Sequence, residues 1–176
     1  MKPNRHNSPR PPLDLPALEG LALRYVGRYA TTEAKLARYL QRKIVERGWG
    51  DEDAADIAAL VARFAAAGYV DDRAFAEGRA GALARRGYGG RRIGAALAAA
   101  GVDRAIGEAL RPCPDAAYRA AETYARRRRF GPFAVTRATP EVARRQIAAM
   151  IRAGHDFGLA RAFVLSLPGV IPMRDQ

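Results

Sequence analysis

Two groups of carboxylates are dense enough to hold a cation or to work as an acid–base pair: Asp71-Asp72, and Asp51, Glu52, Asp53 and Asp56. Both stand where a helical pattern begins. There a side-chain oxygen satisfies a free backbone amide, and negative charge meets the positive end of the helix dipole. No partner base or nucleophile accompanies either group, so both read as caps. The chain has two histidines, His6 and His155, and one cysteine, Cys113, set between Pro112 and Pro114. That inventory supplies no metal ligand set, no disulfide framework and no histidine-based triad. His155, in a helix–helix turn, is assigned no role. Neither catalytic residues nor a cofactor nor a metal is expected, and the chain does not read as an enzyme.

The remaining chemistry is cationic. Of 176 residues, 30 are Lys or Arg and 18 are Asp or Glu, a net charge of +12 with an isoelectric point near 10.8, and half of that surplus lies beyond residue 112. Only Lys2, Lys35 and Lys43 are lysines; guanidinium forks suit phosphate and carboxylate recognition, although G/C-rich codons would also favour arginine. Gly87-Tyr88-Gly89-Gly90 has the look of a phosphate loop but lacks the Lys-Ser/Thr ending and a preceding strand, so it reads as a helix–helix turn. Arg85, Arg86, Arg91 and Arg92 straddle it, and the last two fall on a first helical turn whose free amides add to anion affinity. Lys35, Arg38 and Arg42 are spaced i, i+3, i+7 on one helical face; Arg145 and Arg152, seven apart with Arg144 alongside, repeat the device. Each stripe alone would be a solvated face; their recurrence argues for binding. Arg126 to Arg129 fan around a helix end and fit a solvated terminus or a docking site equally. Trp49 reads as an inter-helix plug, with base stacking as the alternative.

These side chains need elements to carry them, and the periodicity is helical throughout. Residues 1–16 hold five prolines and predict an extended, mobile basic arm. Leu18, Leu21, Ala22, Tyr25 and Tyr29 give a helix over 18–30. Thr31 or Thr32 caps a second helix, with Leu36, Leu40 and Ile44 inward, that ends at Gly48. Asp51 or Asp53 caps a third, in which Ile57, Leu60, Val61 and Phe64 face the core, ending at Gly68. The grammar recurs twice. Asp71 or Asp72 opens a helix burying Phe75, Ala82 and Leu83; a second, with Ile93 and Leu97, ends at Gly101; a brief third follows. From Asp115 the last round runs through Thr139-Pro140, then Ala143, Ile147, Met150 and Ile151, to Gly154, and Asp156 caps a helix with Ala160, Phe163, Val164 and Leu167. Gly48, Gly101 and Gly154 are 53 residues apart in succession. The expectation is an all-α protein of three tandem three-helix repeats, 17–70, 71–112 and 113–170, with a tail over 171–176. Their stacking should be elongated, curved and right-handed. No secretory h-region or membrane-length apolar run appears, which predicts a cytoplasmic, soluble monomer.

Gly68-Tyr69-Val70-Asp71-Asp72-Arg73-Ala74-Phe75-Ala76, then Arg86-Gly87-Tyr88-Gly89-Gly90-Arg91-Arg92-Ile93 and Leu97, resembles the RecX family of recombination regulators. Ala22-Leu23-Arg24-Tyr25-Val26 and the spacing of Leu36, Leu40 and Lys43 fit the same pattern. Residues 20–110 carry the likeness; the third round follows it only in general pattern. The resemblance implies three tandem three-helix repeats and, as partner, the RecA recombinase filament on single-stranded DNA, whose extension, ATPase, strand exchange and co-protease action it would inhibit. Tyr69, Asp71, Asp72, Phe75, Ala76, Gly89, Ile93 and Leu97 would be its structural motif. The binding residues expected on this reading are Lys35, Arg38, Arg42, Arg85, Arg86, Arg91, Arg92, Arg126, Arg127, Arg144, Arg145 and Arg152, with weak affinity for single-stranded DNA. The alternative is a sequence-tolerant helical DNA-binding protein acting without a protein partner, to be recognised by a steep salt dependence of DNA binding.

Overall fold

Asp14, Thr32, Asp56, Asp103, Thr139 and Asp156 each accept a hydrogen bond from an amide two or three residues on, and each starts a helix. Asp71 does the same for Ala74 at 2.8 Å. In the computed structural model of the chain, residues 11–173 are described. They form nine α-helices: α1 (Leu15–Val26), α2 (Glu33–Arg47), α3 (Ile57–Ala66), α4 (Asp72–Arg85), α5 (Gly90–Ala100), α6 (Arg104–Ala109), α7 (Pro114–Arg128), α8 (Pro140–Arg152) and α9 (Phe157–Leu165), with a 3-10 turn at Gly131–Phe133. No strand occurs among the described residues; Leu13 and Trp49 make an isolated parallel bridge.

The helix ends share one closure. After α3, the amide of Tyr69 reaches the carbonyl of Phe64 while Gly68 bonds Ala65. The same pair of bonds closes α4 at Gly87, α5 at Gly101, α7 at Arg129 and α8 at Gly154, each through a residue with positive φ. Arg129, at φ 55°, is the non-glycine among them. Gly48 departs from its two 53-residue counterparts. Its φ of 80° is joined to a ψ of 165°, so the chain leaves α2 extended and its carbonyl accepts from Leu13.

The chain divides into two compact units, with the division between Phe75 and Ala76, inside α4. In the N-terminal unit Leu18 and Ala22 of α1, Leu36 and Leu40 of α2, and Leu60, Val61 and Phe64 of α3 bury against Leu13 and Val70. In the C-terminal unit Tyr118, Ala121 and Ala125 of α7 meet Ala143 and Met150 of α8 and Ala160, Phe163 and Val164 of α9. Alanine on α7 is what lets these helices approach, because its side chain demands little space and loses no rotamer entropy.

Several details differ from the sequence expectation. The arm expected over 1–16 falls partly outside the described residues, but Leu13 is wholly buried, and α1 begins at Leu15. Pro12 and Leu13 run beside Gly48 and Gly50, where Leu13 exchanges two backbone bonds of 2.9 and 2.8 Å. α1 stops at Val26, leaving Tyr29 beyond it. α3 is capped by Asp56, not by Asp51 or Asp53. Asp51 instead accepts from the amide of Leu15, 36 residues away, and Asp72 from that of Glu33, 39 away. Both are first-turn amides left free by the helix itself, and a distant carboxylate supplies the missing acceptor. Phe75 is half-buried and Ile151 is exposed; Leu167 is exposed because α9 ends before it. Trp49 packs on the N-terminal core, its Nε1 donating to the carbonyl of Asp53 at 2.6 Å. Of the tail, residues 174–176 lie outside the described residues. No described helix is long and apolar enough to cross a membrane.

Candidate functional site

In the N-terminal unit, α1, the turn that follows it and α2 place tyrosines and cations together. Tyr25 stacks on Tyr39 with ring centroids 4.2 Å apart and planes 16° from parallel; Tyr29 tilts against Tyr25 at 5.4 Å. Cations rim these rings: Arg28 lies 5.6 Å from the centre of Tyr29, and Arg42 and Lys43 lie 5.7 and 5.8 Å from that of Tyr39. Arg24, Lys35 and Arg38 complete the lining of two adjoining depressions, the larger about 530 Å³. Glu46 engages Arg42 and Lys43. Lys35 also sits 4.4 Å from the ring of Phe75.

The C-terminal unit repeats the combination on other elements. Tyr88, in the α4–α5 turn, lies between Arg86, 5.4 Å from its ring centre, and Arg92, at 4.6 Å. Arg92, Arg128 and Arg152 line one cavity of about 180 Å³ with Tyr88 and Tyr124. No carboxylate lies within 4.0 Å of these three arginines among the described residues. Three arginines without a carboxylate partner lining a depression of that size make a composition that would suit a phosphate or carboxylate.

What holds Tyr88 and Arg92 in place is a junction of two turns. The amide of Gly89 donates to the carbonyl of Ala153 at 2.9 Å, and that of Arg91 to Gly154 at 3.2 Å. The amides of Arg92 and Ile93 bond Gly89. The amides of Arg91, Arg92 and Ile93, expected to assist an anion at the start of α5, are therefore engaged by carbonyls of the protein. His155, only 2% exposed, closes the junction with its Nε2 3.0 Å from the carbonyl of Gly87 and its ring 5.5 Å from that of Tyr124. Burial lowers its pKa below 6.5, with the Gly87 bond opposing more weakly.

A group whose proton affinity is lowered by folding destabilises the native state as pH falls, because the unfolded chain takes up the proton first. Stability of the C-terminal unit should be full above about pH 7 and decline once pH drops below 6.5, down to the lower native pKa of His155. Urea titrations at pH 7.5 and 5.5 should show this decline, and His155→Gln, stable or not, should abolish the histidine share of it.

The chain is 35% identical over 162 residues to the regulatory protein RecX of Myxococcus xanthus (strain DK1622), covering 86% of each chain. This chain belongs to the RecX family. Residues 71–110 match the second three-helix domain of RecX, the span of α4, α5 and α6. The fold is shared with the crystal structure of RecX from Lactobacillus salivarius at a TM-score of 0.57 and 15% identity, covering 84% of this chain and 92% of that one. RecX-family membership places the chain among regulatory proteins with an all-helical repeat fold.

Within this RecX-family chain the expected cations sort by their surroundings. Lys35, Arg38 and Arg42 share the N-terminal face; Arg86, Arg92 and Arg152 share the C-terminal one. Arg127 donates to the carbonyl of Arg86 and so braces the turn. Arg91, by contrast, lines the groove between α5 and α6, 3.5 Å from Asp156. Arg126 lies over Phe133 and pairs with Glu122 at 2.8 Å, and Arg145 pairs with Glu141 at 2.5 Å. Arg85 and Arg144 are exposed and line neither face. Of the motif residues, Ala76, Gly89, Ile93 and Leu97 are buried, while Tyr69 is exposed against Phe64. Sequence reasoning passed over Arg24 and Arg28, left Arg128 within a run that fitted a solvated end or a docking site equally, and gave His155 no role. The first two adjoin Tyr25 and Tyr29 in the chain, a basic–aromatic interleaving that marks such faces; for His155 no local signal existed.

Proposed function

We propose that this RecX-family chain is a non-enzymatic cytoplasmic regulator that binds the RecA nucleoprotein filament and inhibits its extension, ATPase, strand exchange and co-protease activity. The observation that carries the reading is kinship with a RecX regulatory protein over 86% of the chain. The carboxylate-free arginine trio on the C-terminal unit supports it: such a cluster is retained at the expense of mutual repulsion and is suited to acidic partners. The residues proposed to dock are Arg86, Arg92, Arg128 and Arg152 on one unit and Lys35, Arg38 and Arg42 on the other. Arg85, Arg91, Arg126, Arg127, Arg144 and Arg145 would contribute chiefly to the long-range field.

The test is co-sedimentation with preassembled RecA filaments, paired with the DNA-dependent ATPase of RecA. The chain should pellet with filaments and lower the ATPase, and the inhibition should persist when single-stranded DNA is added in excess. Full recovery of ATPase on adding DNA would show that the chain merely hides the strand, and the RecA reading would fall.

A further inference from the structure

The division between the two units runs through α4, and the two ends of that helix are held by different partners. At its start Asp71 accepts from the amide of Ala74, Asp72 accepts from that of Glu33 at 2.8 Å, and the ring of Phe75 lies 4.4 Å from Lys35. At its end the amide of Tyr88 closes on the carbonyl of Leu83, and Arg127 donates to that of Arg86. Between these anchorages the helix is thinly covered. Ala76 and Leu83 are its buried residues, and among the described residues none of α4 joins the hydrophobic cluster of either unit. The stretch between the two reads Glu77-Gly78-Arg79-Ala80-Gly81-Ala82. An interior glycine disfavours the helix about fivefold relative to alanine. Packing gives no reason for either one here: a carbon added at Gly78 meets nothing within 4 Å, and one added at Gly81 meets the tip of Arg85 at 3.3 Å. Gly94 of α5 is equally open, but Ile93, Leu97 and Ala100 bury that helix and hold it regardless. A helix of 14 residues without a packed face is marginal in water.

We infer that α4 is a hinge, opening over residues 78–81, about which the two units change orientation in the free chain. The glycines weaken the backbone ladder where no packing compensates, and the anchored ends keep the bend from spreading into either unit. The hinge needs no partner and stands whether or not the chain acts on RecA. Its consequence for docking does rest on that reading. The cations proposed to dock lie on both units, and a link that bends lets the second set engage after the first, at the effective concentration set by the short connection.

The experiment uses the full chain alone. Cys113, its single cysteine, is exposed on the C-terminal unit and makes no side-chain capping bond, so it takes one nitroxide label. Val45→Cys, at an exposed position of α2, takes the other. Double electron–electron resonance then gives the distribution of distances between the labels. A second pair, Cys113 with Arg161→Cys on α9, stays inside one unit and sets the width that the labels alone produce. The distribution across α4 should be about twofold wider than that reference, and Gly78→Ala with Gly81→Ala should bring it down to the reference width. In the same double variant the amides of residues 77–82 should exchange with deuterium roughly tenfold more slowly. Gly94→Ala, in a packed helix, should alter neither the width nor that exchange. Alanine favours the helix, so all three glycine changes leave a folded chain. A cross-unit width equal to the reference, or failure of the two alanines to narrow it or to slow exchange, would overturn the hinge. Neither result touches RecA inhibition, and a chain that does not inhibit RecA would leave the hinge standing.

Discussion

Gly154→Ala lowers the stability of the C-terminal unit by roughly 3 kcal/mol or more, among the largest effects expected of a single methyl group. Two costs combine. At φ +94° the residue occupies a conformation that side chains with a Cβ rarely adopt, and the added carbon would lie 2.4 Å from the amide nitrogen of Arg92 and 2.8 Å from the carbonyl of Gly89. Both neighbours are backbone, so neither can swing aside, and the two turns must part. Parting them breaks the Gly89–Ala153 and Arg91–Gly154 bonds and exposes the His155–Gly87 contact. Gly89→Ala approaches the same junction from the other side, with its Cβ 2.3 Å from the carbonyl of Gly154, and should cost about as much. Gly94→Ala is the control. No atom lies within 4 Å of its added carbon, and alanine favours a helix interior over glycine by about 1 kcal/mol, so it should raise stability. For a unit of this size 3 kcal/mol corresponds to a fall in Tm of about 10 °C or more, read by thermal denaturation. A Gly154→Ala protein melting with the wild type would mean that the turns do not meet as described.

The contrast between Gly154 and Gly94 also shows what a sequence can and cannot display. Caps and closures are local: Thr32, Asp71, Thr139 and Asp156 lie beside the amides they satisfy, and the glycines follow their own helices, so all were legible from spacing. Where a carboxylate serves a distant helix, local grammar misleads. Asp51 looked like the cap of α3 because it precedes that helix, yet its partner is Leu15 at the start of α1. The phosphate-loop appearance of residues 87–90 dissolved for a similar reason. Its spare amides are consumed by the carbonyls of Ala153 and Gly154, about 65 residues away, a pairing with no periodic trace. His155 is the same case from the other end: a lone histidine in a turn has no local partner, and only the fold supplies Gly87. The proline count of the N-terminus concealed Leu13, which is hydrophobic enough to bury and needs only two backbone bonds to hold it. Cationic stripes were legible as stripes, but which arginines remain unneutralised depends on neighbours such as Glu122, Glu141 and Asp156, so the sequence alone could not rank them.

That ranking leads to the second large effect. Replacing Arg92, Arg128 and Arg152 together by glutamate should abolish inhibition of the RecA ATPase, raising the concentration needed for half-inhibition by roughly a hundredfold or more. The three arginines line one cavity and have no carboxylate within 4.0 Å among the described residues, so in the free chain their charges repel one another. A partner oxyanion relieves that repulsion, and reversing the charges removes the attraction while adding a penalty against the same partner. Changing the three to alanine instead should shift Tm little while inhibition is still lost, because relief of repulsion offsets the ring contacts of Arg92 with Tyr88 and of Arg128 with Tyr124. Residues that merely supported the fold would lower Tm markedly. Arg91→Glu with Arg145→Glu supplies the comparison, at a net charge of +8 against +6 for the triple variant: these two face Asp156 and Glu141 across exposed pairs, whose individual contributions are small. If the double variant were as defective as the triple one, total charge rather than the cavity would govern docking.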